Sequence, residues 1–209
     1  MKTRLFFVIA FAFFVQITNA QMLGIKGGVN FANMSFSTSG MDISPKSIVG
    51  LHLGLIFDFK MQENLNFNAG FLYSLKGCKF KGSLIDGASS ANDGTLTFNY
   101  FEIPLNFAYK FPINTKSKFF IQAGPYLAYA MSGKDKTGSE TQDIKFGNNQ
   151  WKRFDYGLGF GAGLEFGAIV TSLNYELGLA NLSDDSSADM KIKNKVLQIS
   201  IAYMFGNKK

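Results

Sequence analysis

The chain has one cysteine, Cys78, and one histidine, His52. A single cysteine excludes a disulfide framework and a cysteine-based zinc site. A single histidine excludes a multi-histidine metal centre. Charged residues are scarce, 17% of 209, against about 25% in an ordinary soluble domain. Long apolar runs are scarcer still. Residues 5–15 form the one unbroken run of this kind, and its eleven residues rise only about 16 Å as a helix, short of a bilayer core of about 30 Å. The mature chain therefore has no candidate transmembrane helix. In excess are 23 phenylalanines and 22 glycines. So apolar a composition excludes an intrinsically disordered chain.

The amino terminus reads as a secretory leader. Lys2 and Arg4 precede the apolar run, and Thr18, Asn19 and Ala20 follow it, with Ala20 suited to cleavage. Residue 21 is Gln, not Cys, which argues against a lipoprotein anchor. Removing 1–20 takes Lys2 and Arg4 and no carboxylate, so the formal charge falls from +6 to +4. The expected organisation is a signal peptide, 1–20, and one barrel domain, 21–209.

Beyond the leader the dominant signal has a period of two. Phe154, Tyr156, Leu158, Phe160, Ala162, Leu164 and Phe166 alternate with Arg153, Asp155, Gly157, Gly159, Gly161, Gly163 and Glu165. That is a strand with one apolar face. A helix would scatter the glycines around its circumference at nearly 1 kcal/mol each. The pattern recurs, less cleanly at 22–32 and 117–132, and predicts eight strands: 22–32, 48–60, 64–80, 95–111, 117–132, 150–166, 169–180 and 195–206. The connections alternate in length. Long polar loops fall at 33–47, 81–94, 133–149 and 181–194, and tight turns at 61–63, 112–116 and 167–168. An even strand number with long loops at one end and short turns at the other is the rhythm of an outer-membrane barrel. The expected fold is all-β: a closed, eight-stranded, antiparallel, up-and-down transmembrane β-barrel in the cell outer membrane.

Size decides which face points out. Eight strands enclose a space just filled by side chains. The bulky parity cannot fit there, so it faces lipid, and the Gly, Ala, Ser and Asn parity lines the lumen. Tyr100, Tyr109, Tyr129, Trp151, Tyr156 and Tyr203 lie toward strand ends, as an aromatic girdle requires. Pro104 and Pro125 lack ladder donors, and their missing bonds are expected to coincide in one bulge. The lumen-side ionisable residues are Lys26, Lys60, Lys110 and Arg153 against Asp58, Glu102, Asp155, Glu165 and Glu176, with His52 beside them. Unpaired charge in a confined interior is costly. These residues are therefore expected to form a structural network that plugs the barrel.

With the strands placed, the chain resembles the PorT-like outer-membrane β-barrel family, a bacterial porin-family group. The resemblance covers about 21–207. It rests on 100–105 (YFEIPL), 123–126 (AGPY), 155–165 (DYGLGFGAGLE) and 174–181 (NYELGLAN). It implies a small barrel of the Gram-negative envelope, with one member class tied to a secretion system. No catalytic residue set matches.

The remaining motifs are weak. Gly157, Gly159 and Ala162 fit a loose dinucleotide pattern, but glycines continuing at period two line a strand rather than a strand-to-helix turn. Asp184, Asp185 and Asp189 are an ordinary acidic loop before they are a calcium site. Lys134, Lys136 and Lys145, and Lys191, Lys193 and Lys195, are placed to meet anionic headgroups or polysaccharide. The expectation is a non-enzymatic protein without metal or cofactor, in contact with outer-membrane lipids and, through its loops, with envelope or secretion-system proteins, but not with nucleic acid. Two alternatives stay open: a lipid-modifying enzyme using His52, and a secreted lipocalin-like barrel with an apolar ligand.

Overall fold

A computed structural model describes residues 21–38, 41–43, 45–80, 93–147, 150–184 and 190–206. The proposed leader and the loop aspartates Asp185 and Asp189 lie outside these described residues. Every regular element among them is a strand: β1 (Gln21–Thr38), β2 (Met41–Ile43), β3 (Lys46–Lys60), β4 (Leu65–Phe80), β5 (Gly94–Pro112), β6 (Ser117–Thr137), β7 (Glu140–Asp143), β8 (Phe154–Phe166), β9 (Ile169–Gly178) and β10 (Lys191–Phe205). Eight form an antiparallel ring in the order β1, β3, β4, β5, β6, β8, β9, β10, and β10 pairs again with β1. β2 and β7 are short additions on the long-loop ends of β1 and β6. The ring strands match the eight expected, but β1, β6 and β10 run further toward the long loops than alternation alone indicates.

The register fixes the dimensions. Partners followed around the ring run from Gln21 through Phe59, Phe67, Phe107, Ala123, Phe160, Tyr175 and Leu197 to Phe31, ten residues further along β1. With strands ~4.8 Å apart and a rise of ~3.3 Å per residue, this stagger tilts the strands by about 41° and sets a backbone radius of about 8 Å. From Phe59 to Phe31 the same row faces outward and contains six aromatic rings. Phe59 and Phe67, and Phe67 and Phe107, lie with ring centroids 6.0 and 5.3 Å apart.

The two parities separate as size requires. Phe160 and Ile199 are each 48% exposed, while Glu102 and Asp155 are fully buried. An outward apolar belt removes the soluble lipocalin-like alternative, which needs its rings inside. Tyr109, Tyr129, Tyr156 and Tyr203 are exposed on the outer surface. Tyr100 is not: it points inward and is wholly buried. Trp151 also leaves the girdle, packing on the inward Phe98 with centroids 4.9 Å apart. Both belong to segments where the lumen is filled by apolar side chains rather than small polar ones.

The prolines also behave differently from expectation. Pro104 pairs with Tyr126 and Phe107 with Ala123, so the register runs unbroken across the height of Pro125 and no bulge forms. The bonds lost to proline are tolerated inside a continuous ladder, and Gly70 makes room for the Pro104 ring, whose Cγ would lie 3.1 Å from a Cβ there. The bulge in this pair of strands is further along, where Asn99 faces Ser132 and Tyr100 faces Ala130, leaving Met131 unmatched. Its effect is a change of parity. Ala130 and Gly133 both turn inward, and Lys134 and Lys136 are thrown outward and exposed. Without the extra residue both lysines would point into the lumen.

The belt makes a direct prediction. Ile199→Arg, in the middle of the apolar band, should cost about 2–4 kcal/mol, whereas Phe205→Arg at its short-turn edge should cost about 0–1 kcal/mol. Denaturant unfolding of the refolded barrel in lipid vesicles measures both. Equal costs would contradict the assigned faces.

Candidate functional site: a layered lumen under an apolar cap

The inward side chains form layers along the barrel axis. Nearest the short turns, Lys110 of β5 meets Asp58 of β3 at 2.6 Å and also Glu165 of β8. Asn66 of β4 donates its amide to the other Asp58 oxygen at 2.7 Å. The three ionic side chains are almost fully buried. Each comes from a different strand, so the layer ties the ring across its diameter.

Above it lies a cavity of about 60 Å³ with a mixed wall, Lys26, Asn106 and Gln122 on it beside Ile56, Phe120 and Met204. It is roomy enough for a few water molecules, with polar partners on the part of its wall formed by Lys26, Asn106 and Gln122.

The central layer is built on Lys76 of β4. Its Nζ lies 2.6 Å from Glu102 of β5 and 2.9 Å from Glu176 of β9, and 4.3 Å from the Tyr126 ring centroid. Lys76 and Glu102 have no solvent exposure. Tyr126 reaches across because Gly157 of β8 has no side chain: a Cβ there would stand 2.7 Å from Cε1 of the tyrosine and would run into the Leu177 carbonyl. Tyr126 donates its hydroxyl to Asp155 at 3.2 Å, and Asn194 donates its amide to the same oxygen at 2.8 Å.

His52 sits beside this layer. Asn30 donates its amide to the Leu75 carbonyl at 3.0 Å and to the Ser74 hydroxyl at 3.1 Å. These acceptors turn the Asn30 Oδ1 toward His52 Nδ1, 2.7 Å away. Nδ1 therefore carries the proton, and the free Nε2 accepts from the Ser200 hydroxyl at 2.9 Å.

The long-loop end is closed by an apolar cap. Met34, Cys78, Leu96, Phe98, Leu182 and Ile192 are buried together, and Phe146 and Trp151 fold over them. Sequence segments expected as plain polar loops thus carry inward apolar anchors, Phe146 and Leu182 among them.

Of the residues singled out from sequence, Asp58, Lys110 and Glu165 meet in one cluster, Glu102 and Glu176 in a second, and Asp155 and His52 in hydrogen-bond networks next to it. Lys26 is half-buried and lines the cavity. Lys60 is exposed at the short-turn rim. Arg153 does not enter the lumen network. It precedes the start of β8 and donates to the Ala130 and Met131 carbonyls at 2.8 and 3.2 Å, with its guanidinium 4.2 Å from the Phe146 ring centroid. The residue overlooked was Lys76. Its parity continues that of Asn66, Asn68, Gly70 and Ser74 in the same strand, which was the signal available. Among the described residues, no three His, Cys, Asp or Glu side chains gather as a metal site.

A ring of eight strands with lipid-facing rings and a packed ionic interior defines an outer-membrane barrel. The sequence matches the outer membrane protein beta-barrel domain model over residues 16–184, and the chain belongs to that family. It is an outer-membrane protein. No curated protein matches it. Among solved structures, it is similar to Ail, the attachment invasion locus protein of Yersinia pestis, at 18% identity over 90% of this chain and 100% of that one, with a TM-score of 0.45. Neisserial surface protein A shares 15% identity over 88% and 97% of the two chains, at 0.42. AlkL, solved in lipid bilayers, shares 8% over 91% and 92%, at 0.46.

The central layer predicts a marked asymmetry. Lys76→Met alone strands two buried carboxylates and should cost about 3–5 kcal/mol. Adding Glu102→Gln and Glu176→Gln should recover most of the loss. Urea unfolding of the three variants in vesicles measures it, and a harmless single substitution would refute the pairing.

Proposed function

We propose that the chain, after loss of residues 1–20, is a closed, non-enzymatic transmembrane barrel with a plugged lumen. Its long loops face outside the cell, and both termini face the periplasm. Its role lies in envelope structure, surface interaction or a secretion assembly, with outer-membrane lipids around it and envelope or secretion-system proteins as loop partners. The observation that supports the reading is the stacking of the Lys110 and Lys76 ionic layers beneath the Phe98 and Leu182 cap. Among the described residues, ion-paired layers and an apolar cap stand across the lumen in the way of an aqueous path. In planar bilayers the purified protein should show no unit conductance, and Phe98→Ala combined with Leu182→Ala should raise leakage. Discrete pore steps in the unmodified protein would defeat the plug.

The Ser200, His52 and Asn30 line favours a second reading, a lipid-modifying enzyme. A hydroxyl that donates to an imidazole oriented by a third group is the arrangement that activates a serine nucleophile. Against it, Ser200 is only 5% exposed. A fluorophosphonate probe separates the two. Under the leading reading Ser200 stays unlabelled; labelling that disappears in His52→Ala would establish the enzyme.

A further inference from the structure

Along β10 the outward residues from the short-turn end are Phe205, Tyr203, Ile201, Ile199 and Leu197, then Lys195, Lys193 and Lys191. The neighbouring β1 changes at the same height: Phe31 faces Leu197, whereas Asn33 faces Lys195 and Ser35 faces Lys193. The hydrocarbon boundary on this flank therefore lies between Leu197 and Lys195. Three ammonium groups rise above it in one column, their Cα atoms ~6.7 Å apart.

Elsewhere at this end of the barrel exposed lysines such as Lys46 and Lys136 are not stacked three to a strand, and three other cations sit with anions. Lys79 pairs with Asp93 at 3.2 Å and Lys152 with Asp184 at 3.6 Å, and Lys134 faces Asp143 across β6 and β7. On the β4–β6 flank the boundary is neutral, with Tyr73 donating to Asn99 at 2.6 Å and Asn99 to Ser132 at 2.9 Å. Among the described residues, Lys191, Lys193 and Lys195 have no ion-pair partner.

A second observation falls on the same strands. Directly below the lysines a shallow, open apolar groove of about 540 Å³ crosses the outer surface of β1, β10, β9 and β8. Val29, Ile199 and Leu173 wall it. It exists because Ala162 and Thr171 are small where their outward neighbours Phe160, Leu164, Ile169 and Leu173 are large. From Lys195 to Ile199, on the groove wall, the strand runs ~13 Å, within reach of one lipid acyl chain.

We propose that this flank is a binding site for a phosphorylated, acylated glycolipid of the outer leaflet. Lys193 and Lys195 take the phosphate, and the groove takes one acyl chain. Charge complementarity and the position of the shallow groove, on the lipid-facing surface below the lysines, commit the site to a lipid rather than to a soluble polyanion, which would have no use for the apolar wall. The inference rests on the outward direction of the long loops proposed above, and the experiment tests that direction separately.

The full mature chain is reconstituted in phosphatidylcholine nanodiscs doped with bisphosphorylated lipid A, or with the same lipid enzymatically dephosphorylated. Lipid retained after detergent extraction is measured by mass spectrometry. Lipid A should be retained and its dephosphorylated form largely lost. Each lysine at an anionic surface contributes about fivefold, so Lys193→Gln with Lys195→Gln should weaken retention about 25-fold, and more steeply at low salt. Ala162→Phe, which fills the groove from the lipid side, should weaken retention while leaving the salt dependence intact. Equal retention of the dephosphorylated lipid, or unchanged retention in both variants, overturns the proposal. So does a crosslinked dimer through the groove that Ala162→Phe abolishes, since the face then belongs to a second copy. Protease cleavage of the long loops in intact cells reports their direction. If they are cut from outside and lipid A is still not held, the site alone fails; if they are protected until the cells are lysed, the orientation fails.

Discussion

The narrowness of an eight-strand ring governs everything else in this protein. A ten-residue stagger fixes a backbone radius of about 8 Å, and an interior of that width holds one layer of modest side chains. Bulky residues have to go outside, and outside they need an apolar solvent. The membrane location is thus a consequence of volume as much as of hydrophobicity. The glycines follow from the same constraint. At Gly157 the neighbouring strand's carbonyl and a tyrosine ring already occupy the space a side chain would take.

Because the interior is narrow, its charges cannot keep their water. They pair across the axis instead, Lys110 between Asp58 and Glu165, Lys76 between Glu102 and Glu176. Each lysine reaches at least one carboxylate on a strand that is not its neighbour in the ring, Lys76 to Glu176 and Lys110 to both Asp58 and Glu165, so the pairs brace the barrel against flattening. A buried pair is weak support for stability taken by itself, but breaking one is expensive. The cap above them works differently. Phe98, Leu182 and Trp151 exclude water by packing, and they do so with residues that the long-loop segments return into the mouth.

Much of the ring could be seen in the chain. Strict alternation in Phe154–Phe166 named both its faces, and the long and short connections gave the ends. The lumen was legible only in part. Asp58, Glu102, Lys110, Glu165 and Glu176 could be assigned inward by parity, yet parity does not say which charges share a height. Heights are set by the stagger between strands, and stagger leaves no mark in the sequence of any one strand. Arg153 and Tyr100 show the two ways parity misleads. The first lies before its ladder begins, where alternation has no meaning. The second keeps its parity in a stretch where the lumen is filled by rings.

The amino-acid sequence by itself determined the class of object: eight amphipathic strands with a greasy side too large for any interior they can enclose. Only the tertiary structure decided that Lys76 stands at the centre of the lumen, that Met131 is squeezed out so two lysines turn to the surface, and that Asn30, His52 and Ser200 fall in line. Those outcomes depend on register between strands far apart in the chain, and register is settled by the simultaneous closure of the ring rather than by any local preference.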